Sequence, residues 1–587
     1  MKFLKIAALL LCMCVVLSAA AFAESFDATV DYDTGALGYG VLPVEVLGEI
    51  GDDGSISIQN IYTMGEDVSY LLTDDVAAQL AAQLAEQGVV EEDAAVAVDN
   101  PLAGVGMMTG GGSSSYTEGG ASTELASGSY DGVTFPDCTE DNAAAVRAGA
   151  GASAELTDCV ITKSGGDLAG DDASFYGTNA GLRTYEDAVV SVEDSSIWTE
   201  AIGANGVFAY GDSVISLKNT VVDTDSYSSG GIMVAGGGTL YAENCTVTTE
   251  GGSSAAIRSD RGGGLMVVNG GSYVSNGSLG SGSPACYCVA DITIANATLA
   301  AHNAQAFCFE GRNPGKVYNC YLEGDYQTSD DDETSNVMIY QSNSGDAEDG
   351  TSYFTMVGGV LKAVNSRDLE NYKMFYTTNT YCYISLYDVE MIYPETYGDF
   401  LLCACNNNVR TWGTAGENGS ECVLYCIEQD IRGDIEYDTW SYLDCYFTQG
   451  STAETAFIMR EDNGERGCSV YLDESSSLTL TADSTVKNLY TGGSVILDAE
   501  GKTVAIIDGA GTVYVDGDSD ITLTVTGVYS EEDLSAQENV ACIGTETAYS
   551  FDPEAIAAEF IDASYIPTDE AGNVYTEAHS FADVSAS

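Results

Sequence analysis

The stretch from Gly203 to Val247, GANGVFAYGDSVISLKNTVVDTDSYSSGGIMVAGGGTLYAENCTV, carries the pattern that decides the fold. An alternating segment ends at Asn219, and an aliphatic residue, Val222, follows three positions later. The same arrangement returns at Asn244 and Val247, 25 residues further along the chain. A period of about 20 to 50 residues is typical of solenoids and other repeat proteins.

The pattern extends in both directions and marks what we call anchors, the corner residues of successive repeats. The predicted anchors are Asp158, Asp194, Asn219, Asn244, Asn269, Asn296, Asn319, Gly358 and Asp388. The steps from Asp194 to Asn269 are 25 residues each, whereas later steps range from 23 to 39. At Asn269 the aliphatic place is taken by Ser272, and at Gly358 the side-chain amide is missing.

Each repeat has room for about three short strands, because runs such as Gly231–Val234 lie between the anchors and end in Gly or Asp clusters. The repeat is too short for a strand–helix–strand unit, which needs a crossover of about a dozen residues. Stacked turns of a parallel solenoid lie about 4.8 Å apart, so equivalent Asn side chains can bond one another. The sequence therefore predicts an all-β parallel solenoid.

The composition restricts the partners of the protein. The 587 residues include 90 acidic and 19 basic side chains, for a net charge of −71. Such a surface repels phosphates, which argues against nucleic acid and anionic membranes. Apolar residues make up 45% of the chain, which is enough for a packed core and excludes a disordered polyanion.

The start of the chain has the features of a secretory signal peptide, residues 1–23. Lys2 and Lys5 precede a short apolar run, and Ala21-Phe22-Ala23 fits the cleavage rule. The alternative, a lipoprotein signal using Cys12 or Cys14, lacks the small preceding residue. We expect a secreted or cell-surface protein without a later membrane span.

The predicted parts are an N-terminal cap region, residues 24–130, a parallel β-helix, residues 131–530, and a C-terminal cap or tail, residues 531–587.

Each cap is expected to contain one helix. In the N-terminal region, Asp75 to Gln87 has apolar residues at four-residue spacing, and Gly88 can end that helix. A short C-terminal helix is expected from Asp552 to Phe560. Caps protect the open edges of a solenoid from aggregation.

The cysteines are interpreted mainly as core residues. Cys159, Cys245 and Cys320 each follow an anchor and are three turns apart, or about 14 Å, too far to pair with one another. Cys286 with Cys288, and Cys403 with Cys405, would also face the interior, with metal ligation as the less favoured alternative. For Cys422 and Cys426, a local disulfide is an alternative to a core position.

Several irregular motifs resemble secreted right-handed parallel β-helix repeat proteins of anaerobic bacteria, which are adhesin-like and have the pectin-lyase-like fold. The motifs that carry the resemblance are FYGTNA from Phe175, GANGVFAYG from Gly203, SAAIRSDRGGG from Ser254, GSPAC from Gly282, EGRN from Glu310, NVMIYQSNSGDAEDG from Asn336 and WGTAGENG from Trp412. The resemblance covers about residues 150–500. It implies a right-handed parallel β-helix and an adhesin-like role without a known chemistry.

The competing hypothesis is a carbohydrate-active enzyme, a polysaccharide lyase or hydrolase. A lyase needs a base beside its substrate, and Arg258, Asp260 and Arg261 form the best candidate group. The alternative for these residues is an Arg–Asp pair that closes a glycine-rich turn. A hydrolase needs two carboxylates, for which Asp171-Asp172 and Asp330-Asp331-Asp332 are candidates, although both lie in acidic, loop-like stretches.

Non-catalytic binding has its own candidates. Strand parity places Arg183, Phe208, Met233, Arg258 and Tyr287 in one outward column, and an exposed stripe with Phe208, Met233 and Tyr287 could bind a glycan or a host or surface protein. The N-terminal helix could equally cover it. No cofactor is required, and calcium is the cation that the alternating carboxylates Asp516, Asp518 and Asp520 would attract. His302 is interpreted as a turn residue. The predicted function is a non-catalytic, adhesin-like surface or extracellular binding or structural module.

Overall fold

The structure, a computed structural model, describes residues 24–33, 41–50, 56–63, 66–67, 74–87, 89 and 96–98, and residues 118–574 except 169–170, 278–281, 327–332, 343–345, 407–417, 463, 536–557 and 563. The chain divides into two compact units, residues 1–109 and 110–587. The predicted signal peptide lies outside the described residues.

The first unit is a small sheet with one helix. Its strands are Glu24–Asp33, Val41–Ile50, Ile56–Thr63, Glu66–Asp67 and Val96–Val98. The first four pair antiparallel, and the last pairs parallel with Ile56–Thr63. The predicted helix is present as Asp74–Glu86 and buries Leu80 and Leu84. A role for this helix as a cap of the solenoid stays a prediction.

The second unit is a parallel β-helix, and its regular turns contain three strands each, as predicted. In one turn, Val214–Lys218 leads through the anchor Asn219 into Val221–Thr224, and Ile232–Ala235 follows after a turn. The first two strands belong to a large sheet of twenty described strands, and the third belongs to a sheet of thirteen.

The twenty-strand sheet is parallel throughout its described pairings. Its strands are Gly128–Asp131, Ser153–Thr157, Val160–Lys163, Val189–Glu193, Ser196–Thr199, Val214–Lys218, Val221–Thr224, Gly238–Thr249, Gly264–Ser275, Asp291–Ala295, Thr298–Ala301, Pro314–Gly324, Thr351–Ala363, Tyr381–Tyr387, Glu390–Ile392, Glu421–Ile427, Tyr442–Thr448, Gly467–Leu472, Asn488–Tyr490 and Tyr529–Ser530.

The thirteen-strand sheet is also parallel. Its strands are Gly120–Glu124, Ala143–Ala148, Leu182–Thr184, Val207–Tyr210, Ile232–Ala235, Ile257–Ser259, Cys286–Cys288, Phe307–Glu310, Ser335–Tyr340, Lys373–Thr378, Asp399–Cys403, Asp434–Asp438 and Phe457–Glu461. Two four-strand sheets complete the C-terminal turns. They contain Asp430–Arg432, Thr452–Thr455, Ser477–Leu480 and Leu497–Asp498, and Ser484–Val486, Ala505–Asp508, Val513–Val515 and Thr522–Val525.

The anchors are corners in the left-handed backbone region. The φ angles are close to +50° at Asp158, Asp194, Asn219, Asn244, Asn296, Asn319 and Asp388, and +61° at Gly358. Asn and Asp tolerate this conformation better than other side chains do. One anchor was wrong: Asn269 pairs with Glu243, and Gly270, with φ +74°, takes the corner instead. Tyr273 then occupies the position of Val247, so the two steps around this turn are 26 residues each.

The interior is a continuous apolar core of Val, Ile, Leu, Ala, Phe and Cys side chains. All fourteen described cysteines are free thiols, and all but the half-buried Cys405 are buried. The core role of Cys159, Cys245 and Cys320 is thus confirmed. The alternative of a Cys422–Cys426 disulfide was wrong, because these two residues are four positions apart in one strand and both point inward.

The turns between residues 418 and 490 contain stacked tyrosines. The rings of Tyr425, Tyr446, Tyr471 and Tyr490 stack in consecutive turns with centroids 4.4–4.9 Å apart. Such ladders form because equivalent residues of a parallel solenoid lie about 4.8 Å apart. Aromatic stacking replaces the Asn ladder as the repeated contact here.

A segment near the C-terminus lies against the middle of the solenoid. Residues 558–560 are helical, and the rest of the predicted helix from Asp552 to Phe560 lies outside the described residues. The ring of Phe560 contacts that of Tyr318 with centroids 5.3 Å apart. We call residues 558–574 the C-terminal segment.

Candidate functional site

The predicted column on the thirteen-strand sheet exists. Arg183, Phe208, Met233, Arg258 and Tyr287 are register partners in successive strands. The predicted exposure of this stripe was wrong, because Phe208 and Met233 are fully buried and Tyr287 is half-buried.

A local insertion covers the column. The helix Asp171–Tyr176 and Gly177 lie over it, and a Cβ atom added to Gly177 would meet the ring of Phe208 at 2.2 Å. The ring of Tyr176 meets Tyr210 edge-on, with centroids 5.6 Å apart. The insertion occupies the 36-residue step from Asp158 to Asp194, which is longer than the regular 25-residue step. Asp171 and Asp172 start this helix.

The candidate lyase group is an internal ion pair. Nη2 of Arg258 lies 2.9 Å from Oδ2 of Asp260, and its Nη1 donates to the carbonyl of Ser253 at 3.0 Å. The side chains of both pair members are less than a tenth exposed. Burial raises the pKa of Asp260 to about 6, although the charge of Arg258 opposes the shift. These contacts hold the guanidinium of Arg258 against the carboxylate of Asp260 and the backbone of Ser253.

Arg261 and Glu310 complete the same cluster. The guanidinium of Arg261 lies 4.0 Å above the ring of Phe175, and its Nη2 is 2.6 Å from Oδ1 of Asp346. Glu310 accepts hydrogen bonds from Tyr287, from Tyr340 at 3.1 Å and from Ser342. Arg261 and Asp346 thus pair across 85 positions of the chain, whereas Glu310 is bound by hydroxyl groups.

Sequence reasoning missed a second charged cluster. Nζ of Lys373, which is 2% exposed, lies 2.7 Å from Oε2 of Glu333 and 3.8 Å from Oδ2 of Asp399. Nη2 of Arg460 contacts the other oxygen of Glu333 at 2.7 Å. Lys373 and Asp399 are register partners at the starts of adjacent strands.

The pKa values of the two carboxyl groups in this cluster, those of Glu333 and Asp399, are shifted in opposite directions. Burial and the charge of Glu436 raise the pKa of Asp399 to about 7. For Glu333, burial alone would raise the pKa, but Lys373 and Arg460 lower it below its usual value. Pairs of carboxyl groups with separated pKa values are found in acid–base sites. They also occur in structural ion-pair networks.

The twenty-strand sheet has an open groove on its outer face. Register pairs place Glu155, Ser191, Ser216, Tyr241 and Val267 in one column across five turns. A parallel column contains Thr157, Glu193, Lys218, Glu243 and Asn269. Together these columns line a shallow groove of about 580 Å³, which we call the outer groove. The ring of Tyr241 is the large side chain in it and is 43% exposed.

The remaining predicted site residues are dispersed. Oδ1 of Asp518 accepts the amide of Thr503 at 2.9 Å, while Asp516 and Asp520 are exposed. No group of three His, Cys, Asp or Glu residues suited to a metal ion occurs among the described residues. Calcium binding stays a prediction. Asp330, Asp331 and Asp332 lie outside the described residues.

His302 has a partner that the sequence did not indicate. Its Nε2 lies 2.7 Å from Oε1 of Glu570 in the C-terminal segment. The hydrogen bond to Glu570 raises the pKa of this imidazole. The contact joins residues 268 positions apart.

Comparison with known proteins identified no relative. No protein-family model matches the chain, and no curated protein and no solved structure matches it. In the described part of the chain, no helix is long and apolar enough to cross a membrane.

Proposed function

We propose that this protein is an exported, non-catalytic β-helix that acts as an adhesin-like binding module, and that it binds an extended polysaccharide along the outer groove. The observation that carries this proposal is the alignment of Glu155, Ser191, Ser216 and Tyr241 in successive turns, beside a second column that contains Glu193, Lys218 and Glu243. The signal peptide predicted at residues 1–23 supports export.

The repeat of the groove suits a polymer. Turns about 4.8 Å apart present polar groups at regular intervals, so a chain of sugars lying along the axis meets a hydroxyl group in each of the four turns from Glu155 to Glu243 and a carboxylate in three of them. Hydroxyl groups can donate hydrogen bonds to sugar hydroxyls or accept them, and carboxylates accept them. The exposed ring of Tyr241 offers an apolar face for stacking.

The charge of the groove selects among polysaccharides. Glu155, Glu193 and Glu243 outnumber Lys218, whose Nζ lies 3.6 Å from Glu193. A polymer of uronic acids would be repelled, whereas neutral or amino sugars would not. The ligand class favoured by this surface is a neutral or cationic glycan.

The test is binding of the mature protein to neutral, amino-sugar and uronic-acid polysaccharides by affinity electrophoresis. Tyr241→Ala should weaken binding about tenfold, which corresponds to about 1.4 kcal/mol. The matched control is Tyr381→Ala, because Tyr381 is 47% exposed on the same sheet outside the groove. Equal binding by both variants, or a preference for uronic-acid polymers, would overturn the proposal.

A second candidate, a carbohydrate-active hydrolase, is favoured by one observation. Glu333 and Asp399 have opposite pKa shifts and share contacts with Lys373. Against it, Lys373 occupies the space between the carboxylates, where a substrate would have to lie. Release of reducing ends from neutral oligosaccharides, lost in Asp399→Asn, would establish this activity. Release of unsaturated uronides, abolished by Arg258→Ala, would establish a lyase. We expect neither.

A further inference from the structure

A buried column of hydroxyl groups runs through the regular turns of the solenoid. Register pairs join Lys163, Thr199, Thr224, Thr249 and Ser275. Each of the four hydroxyls donates to a backbone carbonyl shortly downstream, as Thr199 does to Ala204 at 2.6 Å and Ser275 to Ser283 at 2.7 Å. A buried donor needs such an acceptor, so the column is a repeated solution to one packing problem.

The first two turns depart from this solution. In the first turn, the thiol of Cys138 replaces the hydroxyl group as the hydrogen-bond donor. It donates to the carbonyl of Ala143, five residues downstream, at 3.5 Å. Thr199 and Ala204 have the same five-residue separation. In the next turn the column contains Lys163, a long cation where the following turns have a short hydroxyl.

The amine of Lys163 contacts the thiol. Its Nζ lies 3.6 Å from Sγ of Cys138 and donates to the carbonyl of Glu140 at 3.0 Å. Lys163 is fully buried and Cys138 is 1% exposed. Burial lowers the pKa of Lys163 and so favours the neutral amine. Buried lysines are rare unless they are paired with a carboxylate, and here a thiol stands in contact instead.

We propose that Cys138 and Lys163 are joined by a covalent N–O–S bridge when the protein meets dioxygen. The S–H bond and one N–H bond of the neutral amine break, and an S–O and an N–O bond form around one oxygen atom. The other oxygen leaves as water with the two hydrogens. Sulfur and nitrogen give up two electrons each, and these four electrons reduce one dioxygen molecule.

The geometry singles out this pair among comparable groups. The thiol of Cys159, beside the neighbouring corner, donates to the backbone carbonyls of Tyr130 and Thr157, each at 3.4 Å, and has no amine partner among the described residues. Lys373, the other deeply buried lysine described above, lies between carboxylates. The bridge would fasten the loop before the first turns to the strand Val160–Lys163.

The experiment uses the mature protein, purified without oxygen under reducing conditions and then exposed to air. Intact-mass and peptide mass spectrometry should show a gain of one oxygen and a loss of two hydrogens, on a cross-link between the peptides of Cys138 and Lys163. Dithiothreitol should reverse it. The thermal midpoint should be higher in air than under reductant.

Variants separate the bridge from other oxidation. Cys138→Ser and Lys163→Met should lose the cross-link, and Cys159→Ser should keep it. A wild-type protein that remains folded in air without the cross-link would overturn the proposal. So would oxygen addition to Cys138 alone that persists equally in Lys163→Met. Because wild type decides the question, misfolding of a variant does not obscure the result.

Discussion

The side-chain amide of Asn296 donates a hydrogen bond to the backbone carbonyl of Phe560 at 2.9 Å, although the two residues are 264 positions apart. The same side chain donates to Oδ1 of Asn269 and accepts from the amide of Asp562 at 3.0 Å. A corner residue of the solenoid thereby holds the C-terminal segment against the middle of the solenoid.

Asn296→Ala should release the C-terminal segment. The variant loses these three hydrogen bonds and a fourth, accepted from Nδ2 of Asn319 at 3.3 Å, each worth about 0.5–1.5 kcal/mol, and places Ala at a positive φ. Asn219→Ala is the matched control, because Asn219 has the same backbone conformation and one described side-chain bond, to Asp194. The variant loses three more hydrogen bonds than the control, so we expect it to be about 1.5–4.5 kcal/mol less stable than the control. Hydrogen exchange should rise in residues 558–574 only for Asn296→Ala, and unchanged exchange there would contradict this role.

Arg258→Ala should be strongly destabilising. Removing one partner leaves Asp260 as a buried, uncompensated charge, which costs about 3–5 kcal/mol. Lys218→Ala breaks an ion pair with Glu193 in which both side chains are about half exposed, and should cost about 0–1 kcal/mol. Denaturant unfolding of both variants measures the difference. Similar losses would show that the Arg258–Asp260 pair is not insulated from water.

The positions of the anchors could be predicted because few residue types tolerate a left-handed corner. Asn or Asp at Asn219, Asn244 and Asp388 indicates the corner directly. At the other turn, Gly270 adopts the same conformation, and the neighbouring Asn269 was therefore mistaken for the corner. Strand parity likewise identified the column of Phe208 and Met233. Parity says which side of a strand a residue faces and says nothing about what else lies on that side.

The Arg258–Asp260 pair was anticipated because its members are two positions apart, whereas the cluster around Lys373 could not be predicted, because it joins residues whose separation has no period. Lys373 and Asp399 are in register, but the steps between turns vary in this part of the chain, so the sequence does not indicate which residues become neighbours. His302 and Glu570 depend on a contact between distant segments in the same way. The exposure of Tyr241 could not be predicted either, because it depends on the neighbouring turns being uncovered, which the sequence does not indicate.

Stability should fall as the pH rises through the range in which Asp399 ionises. The pKa of this carboxyl is raised from 3.8 to about 7, so the folded state binds more protons than the unfolded chain between these values. The decline should reach about 1.4 kcal/mol per pH unit at its steepest and end above about pH 7. Glu333 acts in the opposite sense, because its lowered pKa adds stability that is lost as the pH falls below its unfolded value.

Asp399→Asn isolates the contribution of Asp399. Its unfolding free energy, measured against wild type across this pH range, should improve relative to wild type as the pH rises from about 4 to 7. A constant difference between the two proteins would mean that Asp399 ionises in the folded protein as it does in the unfolded chain.

The buried thiols should resist alkylation in the folded protein. Burial raises the pKa of Cys320 to about 12 and those of Cys286, Cys422 and Cys426 well above the usual value, which suppresses the reactive thiolate. Cys405 also has a raised pKa but is half-buried, so iodoacetamide should label it before the others. Peptide mass spectrometry before and after denaturation measures this order, and rapid labelling of Cys286 in the native protein would contradict it.

The uniform 25-residue steps from Asp194 to Asn244 have a consequence for how such a chain can grow. Each turn offers the next one the same backbone ladder, corner and hydroxyl contact, so a duplicated unit would dock on its own copy without altering the turns on either side. The length of the outer groove is then set by the number of units in the gene, and reach can be adjusted in increments of about 4.8 Å. This part of the solenoid can therefore lengthen or shorten by whole 25-residue units, each with its own Asn or Asp corner.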